Sequence, residues 1–391
     1  MNLTAVITPE LRNLRDAFVA QGFDVRLVGG VVRDLLRGVE PKDIDLCTDA
    51  NPDEQVAIYN AAGVSYHETG LQHGTITVVL NGEPYEITSL RTETDHDGRH
   101  AVVSYTKNWL ADLSRRDLTF NAMSLTFDGT LIDPFGGADD LTNNNVVFVG
   151  NPDDRMREDY LRILRWFRFH ARIANTGKMN AETMEAVKRQ AQGLSGISRE
   201  RVWMEMSKIV VGNVGGDMVK TMFDLGIHQF MDMPEGNPWA IDTAVKFGKT
   251  TNPVTAMVAM LNADAGAVTK LATDWKWSAA ERDFGVWLAK TIRKPSEAAS
   301  VSEDYVFLIS HDETPVHWVA ELARLQGSDA FANALMSNRH RHPVFPVKGQ
   351  DLLDMGMVPG KAIGFTLKQL RRKWADEGFK MSKEELLQIT R

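Results

Sequence analysis

Leu27-Val28-Gly29-Gly30-Val31-Val32-Arg33-Asp34-Leu35-Leu36, followed by Lys42-Asp43-Ile44-Asp45-Leu46, decides how the chain folds. An apolar strand runs into a glycine pair and then into a short helix with a basic residue in its first turn. Gly29 and Gly30 let backbone N–H groups approach a phosphate with no Cβ in the way, and the helix N-terminus that follows favours an anion. Arg33 can reach the same phosphates. The second segment reads as a strand, in which alternate side chains share a face. Asp43 and Asp45 then point one way while Ile44 and Leu46 turn to the core. Two carboxylates beside a glycine turn and an arginine can hold Mg²⁺ against a triphosphate. The bland alternatives are a packing turn and a solvated aspartate pair. The spacing fits neither a Walker loop nor a dinucleotide-binding glycine fingerprint.

Around this unit, Thr8-Pro9 reads as the N-cap and first residue of a helix to Ala20, and Asn51-Pro52 opens another to about Ala62. Three β-like runs follow, Val64–His67, Thr75–Leu80 and Tyr85–Leu90, the last two joined by a hairpin signal at Asn81-Gly82. Glu86 offers a third carboxylate if its face of the sheet meets the aspartates. Residues 92–108 are mostly polar, have no clear period and read as a mobile loop; Trp109 to Phe120 is helical in character. From about Asp153 strand signals nearly vanish. Apolar residues recur at helical spacing, with breaks at Pro234–Pro238 and at His342–Pro346. No repeat of solenoid length is present. The expected class is therefore α+β, a small mixed sheet with helices followed by an all-helical remainder.

The 391 residues suffice for several domains, and 43% hydrophobic with 25% charged content is ordinary for a soluble globular protein. Cys47 is the single cysteine, which excludes an internal disulfide and cysteine-rich zinc sites. The N-terminus lacks a basic n-region and an apolar h-region, and no apolar run approaches a membrane span, so a cytoplasmic, reducing location and no membrane partner are expected. Charge is divided unevenly. Residues 1–150 hold 11 Lys+Arg against 22 Asp+Glu, a net of −11, and residues 151–391 hold 33 against 30, a net of +3. The first part suits a metal-binding head, and the second can face a polyanion.

Two further clusters carry chemistry. Arg115-Arg116-Asp117-Leu118-Thr119-Phe120-Asn121 offers two arginines and an Asp/Asn pair at i, i+4, suited to phosphate and ribose hydroxyls, or to a surface ion pair. Arg157-Glu158-Asp159-Tyr160-Leu161-Arg162-Ile163-Leu164-Arg165-Trp166-Phe167-Arg168 reads as one helix in which Asp159, Arg162, Arg165 and Arg168 step by three along a stripe. Glu158 and Arg162 form the favourable i, i+4 order. An aspartate acceptor beside an arginine donor fork can read a base edge, although a salt-bridged solvated helix has the same spacing. Ile197-Ser198-Arg199-Glu200-Arg201-Val202-Trp203-Met204-Glu205 taken alone is a capped amphipathic helix. His340-Arg341-His342 and His311-Asp312 lack the partners that a metal site requires.

In this order the elements resemble class II tRNA nucleotidyltransferases (CCA-adding enzymes) and the related bacterial poly(A) polymerases. GGVVRD with DID is similar to the family's first motif, RRDLTFNAM to its second, DPFGGADDL to its third, REDYLRILR to its nucleotide-selecting motif and ISRERVWME to its fifth. The resemblance is dense over residues 20–210 and thinner in FPVKGQDLLDMGMVPGKAIG. It implies a polymerase-β-like nucleotidyltransferase head (1–150), a helical neck with the nucleotide-selecting helix (151–215), a helical body (216–340) and an RNA-binding tail (341–391). It assigns Asp43 and Asp45 to metal and catalysis, with Glu86 as the third carboxylate. It assigns Gly29, Gly30 and Arg33 to phosphate, Arg116, Asp117 and Asn121 to triphosphate and ribose, and Asp159 with Arg162 to base selection. Glu158 braces Arg162, and Arg165 and Arg168 add nucleotide contacts. Two residues depart from the family: Ser124 stands where many relatives carry alanine, and Tyr160 at a position often smaller.

The implied activity is template-independent addition of CCA to the 3′ end of tRNA from CTP and ATP with Mg²⁺, by a monomer or homodimer. The alternatives are poly(A) addition and A-adding alone. The chain ends at Arg391 without a long basic extension, which favours tRNA over generic RNA, and the loop at 92–108 argues against CC-only addition.

Overall fold

The computed structural model describes residues 3, 6–71, 74–94, 102–173, 179–292, 309, 314–337 and 343–390. His311-Asp312 and His340-Arg341-His342 lie outside the described residues. The chain forms two compact units, Met1–Met233 and Pro234–Arg391.

In the first unit, Thr8 caps α1 (Pro9–Ala20) by accepting from Leu11 N, with proline at the first helical position. The chain continues through β1 (Val25–Val28), α2 (Gly30–Leu36), β2 (Asp45–Thr48), α3 (Pro52–Ala62), β3 (Ser65–Gly70), β4 (Thr75–Leu80) and β5 (Glu83–Ser89). Asn51 and Glu54 close a reciprocal capping box on α3. Asn81 and Gly82 both take positive φ, as a two-residue hairpin turn requires. The seven-stranded sheet runs β3-β4-β5-β2-β1 and ends on two short strands, β8 (Ser124–Leu125) and β9 (Leu131–Ile132). Every neighbouring pair is antiparallel except β2 with β5. Leu27, Leu46, Ile76 and Ile87 are fully buried, as are Phe18 of α1 and Tyr59 of α3.

Three expectations need correction here. The segment 92–108 is not simply a loop: β6 (Arg91–Thr94) and β7 (Val102–Tyr105) pair as a separate hairpin, and residues 95–101 between them lie outside the described residues. β6 is polar throughout, and the adjacent Val102-Val103 of β7 breaks alternation, so neither four-residue strand shows a period-2 pattern. The helix from Trp109 stops at Ser114 as α4, and a 3₁₀ turn covers Thr119–Asn121. The third correction concerns the strand bearing Asp45, which starts at that residue, so Asp43 precedes it.

After α5 (Gly137–Thr142), the described residues form no further strand, only helices, connecting segments and one isolated bridge from Phe148 back to Leu118. α6 (Pro152–Glu158), α7 (Leu161–Ile173), α8 (Ala181–Gln190) and α9 (Arg199–Ile209) complete the part of the first unit that carries the site. α7 is amphipathic, with Trp166 and Phe167 fully buried and an arginine side turned outward, and it packs on α9. The second unit is helical throughout its described length. Its C-terminal part has a small core of Val347, Leu352, Leu370, Trp374 and Leu386.

Candidate active site

The parallel pairing of β2 and β5 sets Asp45 directly opposite Glu86. Asp43 lies two residues upstream. All three are exposed, and they line one cavity of about 530 Å³. The Asp45 carboxyl sits inside the cleft edge. Desolvation raises its pKa first; the Arg116 guanidinium opposes that, and the charges of Glu86 and Asp43 add to it. Among the described residues no three His, Cys, Asp or Glu side chains already close on a single point. A hard divalent cation needs no such cage when substrate phosphates and water supply its remaining oxygens. The mutual repulsion of these carboxylates is what a bound cation relieves, so the donor set fits one.

A second cavity, of about 550 Å³, shares Asp45 with the first. Seven arginines and four carboxylates line it, and Asp34, Asp112 and Glu158 brace Arg33, Arg115 and Arg162 from behind; the fixed guanidinium forks suit a polyphosphate. Gly29 enters α2 with φ +69°, and a Cβ there would lie 2.8 Å from Arg116 Nη1. The glycine is what lets the guanidinium approach the turn. Arg33 is buried and donates from Nη1 to Asn121 Oδ1 at 2.8 Å. Desolvation lowers its pKa, with Asp34 opposing. Asp117 and Asn121 meet as expected, at 3.1 Å, but across an irregular turn rather than along a helix face. Asp117 also accepts from Arg165 Nε at 2.6 Å. Burial by itself would raise the Asp117 pKa; Arg165, then Asn121 and the Leu118 N–H, outweigh it and hold the carboxyl below its usual range. Arg168 reaches Glu205 at 3.2 Å, and Arg168 and Arg33 both pack on Phe169, their guanidinium carbons 4.6 Å and 5.1 Å from the ring centroid.

The helix expected through 157–168 is interrupted. α6 ends at Glu158, and Asp159 is extended, with φ −152° and ψ 107°. Asp159 caps α7 instead, its Oδ1 accepting from Leu161 N at 3.0 Å. Periodicity hid this break because apolar residues continue on both sides of it. Arg162 keeps the predicted bond to Glu158 and adds two backbone carbonyls, Arg155 O and Arg115 O, each at 3.1 Å. Glu158 is also held by Arg155 at 2.5 Å. Tyr160 fits because its ring lies over Gly193, where a Cβ would come within 2.1 Å of it.

Some side chains that shape the cavity were not singled out from sequence. Asp112 is fully buried and holds Arg115 at 2.7 Å and Arg116 at 3.4 Å. Its i, i+3 and i, i+4 spacing to the two arginines was the available signal. Phe169 had none. Arg201 and Glu205, one turn apart on α9, face Asp159 and Arg168 respectively.

Residues 25–147 match the Poly A polymerase head domain family, and residues 178–238 match the family described as a probable RNA and SrmB-binding site of polymerase A. The human protein named CCA tRNA nucleotidyltransferase 1, mitochondrial, is 39% identical over 98% of this chain and 90% of its own length. The chain belongs to the CCA tRNA nucleotidyltransferase family. It is an enzyme, and membership of the CCA tRNA nucleotidyltransferases implies dependence on a divalent metal. A CCA-adding enzyme of Lactobacillus helveticus is 31% identical over 93% of the chain and 90% of that relative. The crystal structure of the Bacillus stearothermophilus CCA-adding enzyme in complex with CTP shares the fold with a TM-score of 0.75 at 23% identity, covering 98% of both chains. Among the described residues no helix is long and apolar enough to cross a membrane.

Proposed function

We propose that this chain completes the 3′ end of tRNA by adding C, C and A from CTP and ATP, with the protein rather than a nucleic-acid template choosing each base. The observation that carries this reading is the sharing of Asp45 between the acidic and the basic cavity. A triphosphate lying among the arginines ends at the carboxylates. Arg33 and Arg116 hold phosphate oxygens beside the Gly29-Gly30 turn, and Asp117 with Asn121 orients Arg165 and Arg33 toward the triphosphate and ribose. Asp43 and Asp45, with Glu86, would hold Mg²⁺, which neutralises triphosphate charge and favours the ionised form of the attacking hydroxyl. The tRNA 3′-oxygen forms a bond to the α-phosphorus as the α–β bridging P–O bond breaks, pyrophosphate leaves, and the hydroxyl proton passes to solvent.

CTP and ATP both present an exocyclic amino donor beside a ring nitrogen acceptor. Asp159 accepts from the first and Arg162 donates to the second. UTP and GTP reverse these groups and leave both side chains unpaired. Residues 1–150 act as the head, 151–215 as the neck, 216–340 as the body and 341–391 as an RNA-binding tail. A reducing, cytoplasmic compartment suits Cys47, whose buried thiol is pushed up to about 12.

The test supplies Mg²⁺ and each NTP, singly and mixed, to tRNA ending before CCA, tRNA ending in CC, and oligo(A). Addition of three nucleotides that stops sharply is expected. Long A tails on oligo(A) would mean poly(A) polymerase, and addition to the CC end alone would mean an A-adding enzyme. Asp43→Ala is expected to abolish transfer; retained activity would sink the metal assignment.

A further inference from the structure

We propose that Arg201 is a positioning residue for base choice: from α9 it fixes the Asp159 oxygen that meets the nucleobase. The inference rests on the reading of Asp159 and Arg162 as the base-selecting pair. Asp159 stands in extended backbone between two helices, so no helical turn restricts its side chain. Its carboxylate is held from two sides, Oδ1 by the Leu161 N–H at 3.0 Å and Oδ2 by Arg201 Nη2 at 2.9 Å. Each oxygen keeps a further lone pair for a base amino group.

Arg162 is fixed differently. Its three bonds go to Glu158, Arg155 O and Arg115 O, none of them on α9. Only the acceptor half of the pair therefore depends on α9. The dependence is specific in charge: α9 presents Arg201 to Asp159 and, one turn on, Glu205 to Arg168 at 3.2 Å. Arg201 and Asp159 side chains are 46% and 32% exposed, so the pair sits at the cavity mouth rather than in the core. Without Arg201 the carboxylate keeps one bond and swings about it toward the donors left on Arg162. A pair that satisfies itself no longer distinguishes an amino group from a carbonyl.

The experiment compares full-length wild type with Arg201→Gln, Arg201→Lys, Asp159→Ala and the Asp159→Ala/Arg201→Gln double variant. It measures kcat and KM for CTP against UTP on tRNA lacking CCA, and for ATP against GTP on tRNA ending in CC. Arg201→Gln is expected to lower discrimination in kcat/KM roughly tenfold, chiefly through a raised KM for the correct nucleotide. Arg201→Lys should recover part of it, and Asp159→Ala should make the second change nearly silent. Wild-type discrimination in Arg201→Gln while Asp159→Ala loses it would overturn the proposal. So would additive losses in the double variant, because Arg201 would then act apart from Asp159. Undiminished discrimination in Asp159→Ala is a separate outcome that removes the base-selection reading and this inference together. Arg201 is half exposed, so its variants should melt with wild type; should Arg201→Gln not, Arg201→Met, which keeps the stem and removes the cation, carries the same comparison.

Discussion

His170 on α7 is 1% exposed, lies edge-on to Trp166 at 4.4 Å, and has no hydrogen-bond partner for either ring nitrogen among the described residues. Burial in this apolar setting pulls its pKa down to about 4. An unfolded chain, with an ordinary histidine pKa near 6.5, takes up a proton between pH 6.5 and 4 that the folded chain refuses. Stability is therefore lost as pH falls through that window, by roughly 3 kcal/mol from this group. The urea midpoint of the wild type should fall more steeply from pH 7 to 4 than that of His170→Met. Parallel slopes would remove the explanation. Single residues were legible where their type was unusual for its place, as with Asp45 or Arg33. They were illegible where the environment decides: Ser124 departs from alanine in sequence, but only the fold shows that its buried hydroxyl has no partner among the described residues.

Elements were legible where capping and period agree. α1 and α3 begin at their Thr-Pro and Asn-Pro signals, and the β4–β5 hairpin turns at Asn81-Gly82. The α6–α7 break was not legible, because Asp159 is held out of helical conformation by contacts from α9 and by the packing of Tyr160 on Gly193, both more than 30 positions away. That packing is testable. Gly193→Ala puts a methyl into the Tyr160 ring, and a shift of the neighbouring Asp159 should follow. The expected result is a loss of about 1–3 kcal/mol in stability together with a raised KM for CTP. Tyr160→Ala in the same chain should recover much of both; no recovery would mean that the two residues do not act through each other.

For the molecule as a whole, charge is separated along the chain, and the site itself joins an acidic to a basic cavity. The helix Lys361–Asp376, in the C-terminal part, buries Leu370 and Trp374 and leaves Lys368 and Arg372 exposed. If the tail holds RNA, Lys368→Glu/Arg372→Glu should raise KM for tRNA, flatten its salt dependence by about one unit of slope per lost phosphate contact, and leave KM for CTP unchanged. An unaltered tRNA KM would exclude this face. The β2–β5 pairing carries one more consequence, for folding kinetics. Asp45 and Glu86 are joined by the sheet's parallel ladder, a contact that no hairpin can nucleate. Loop closure across α3 and the β3–β5 meander must come first, which makes this ladder a slow, non-local step. A nascent chain therefore gathers its repelling carboxylates only after residue 89 has emerged, and a partly synthesised head cannot transfer a nucleotide.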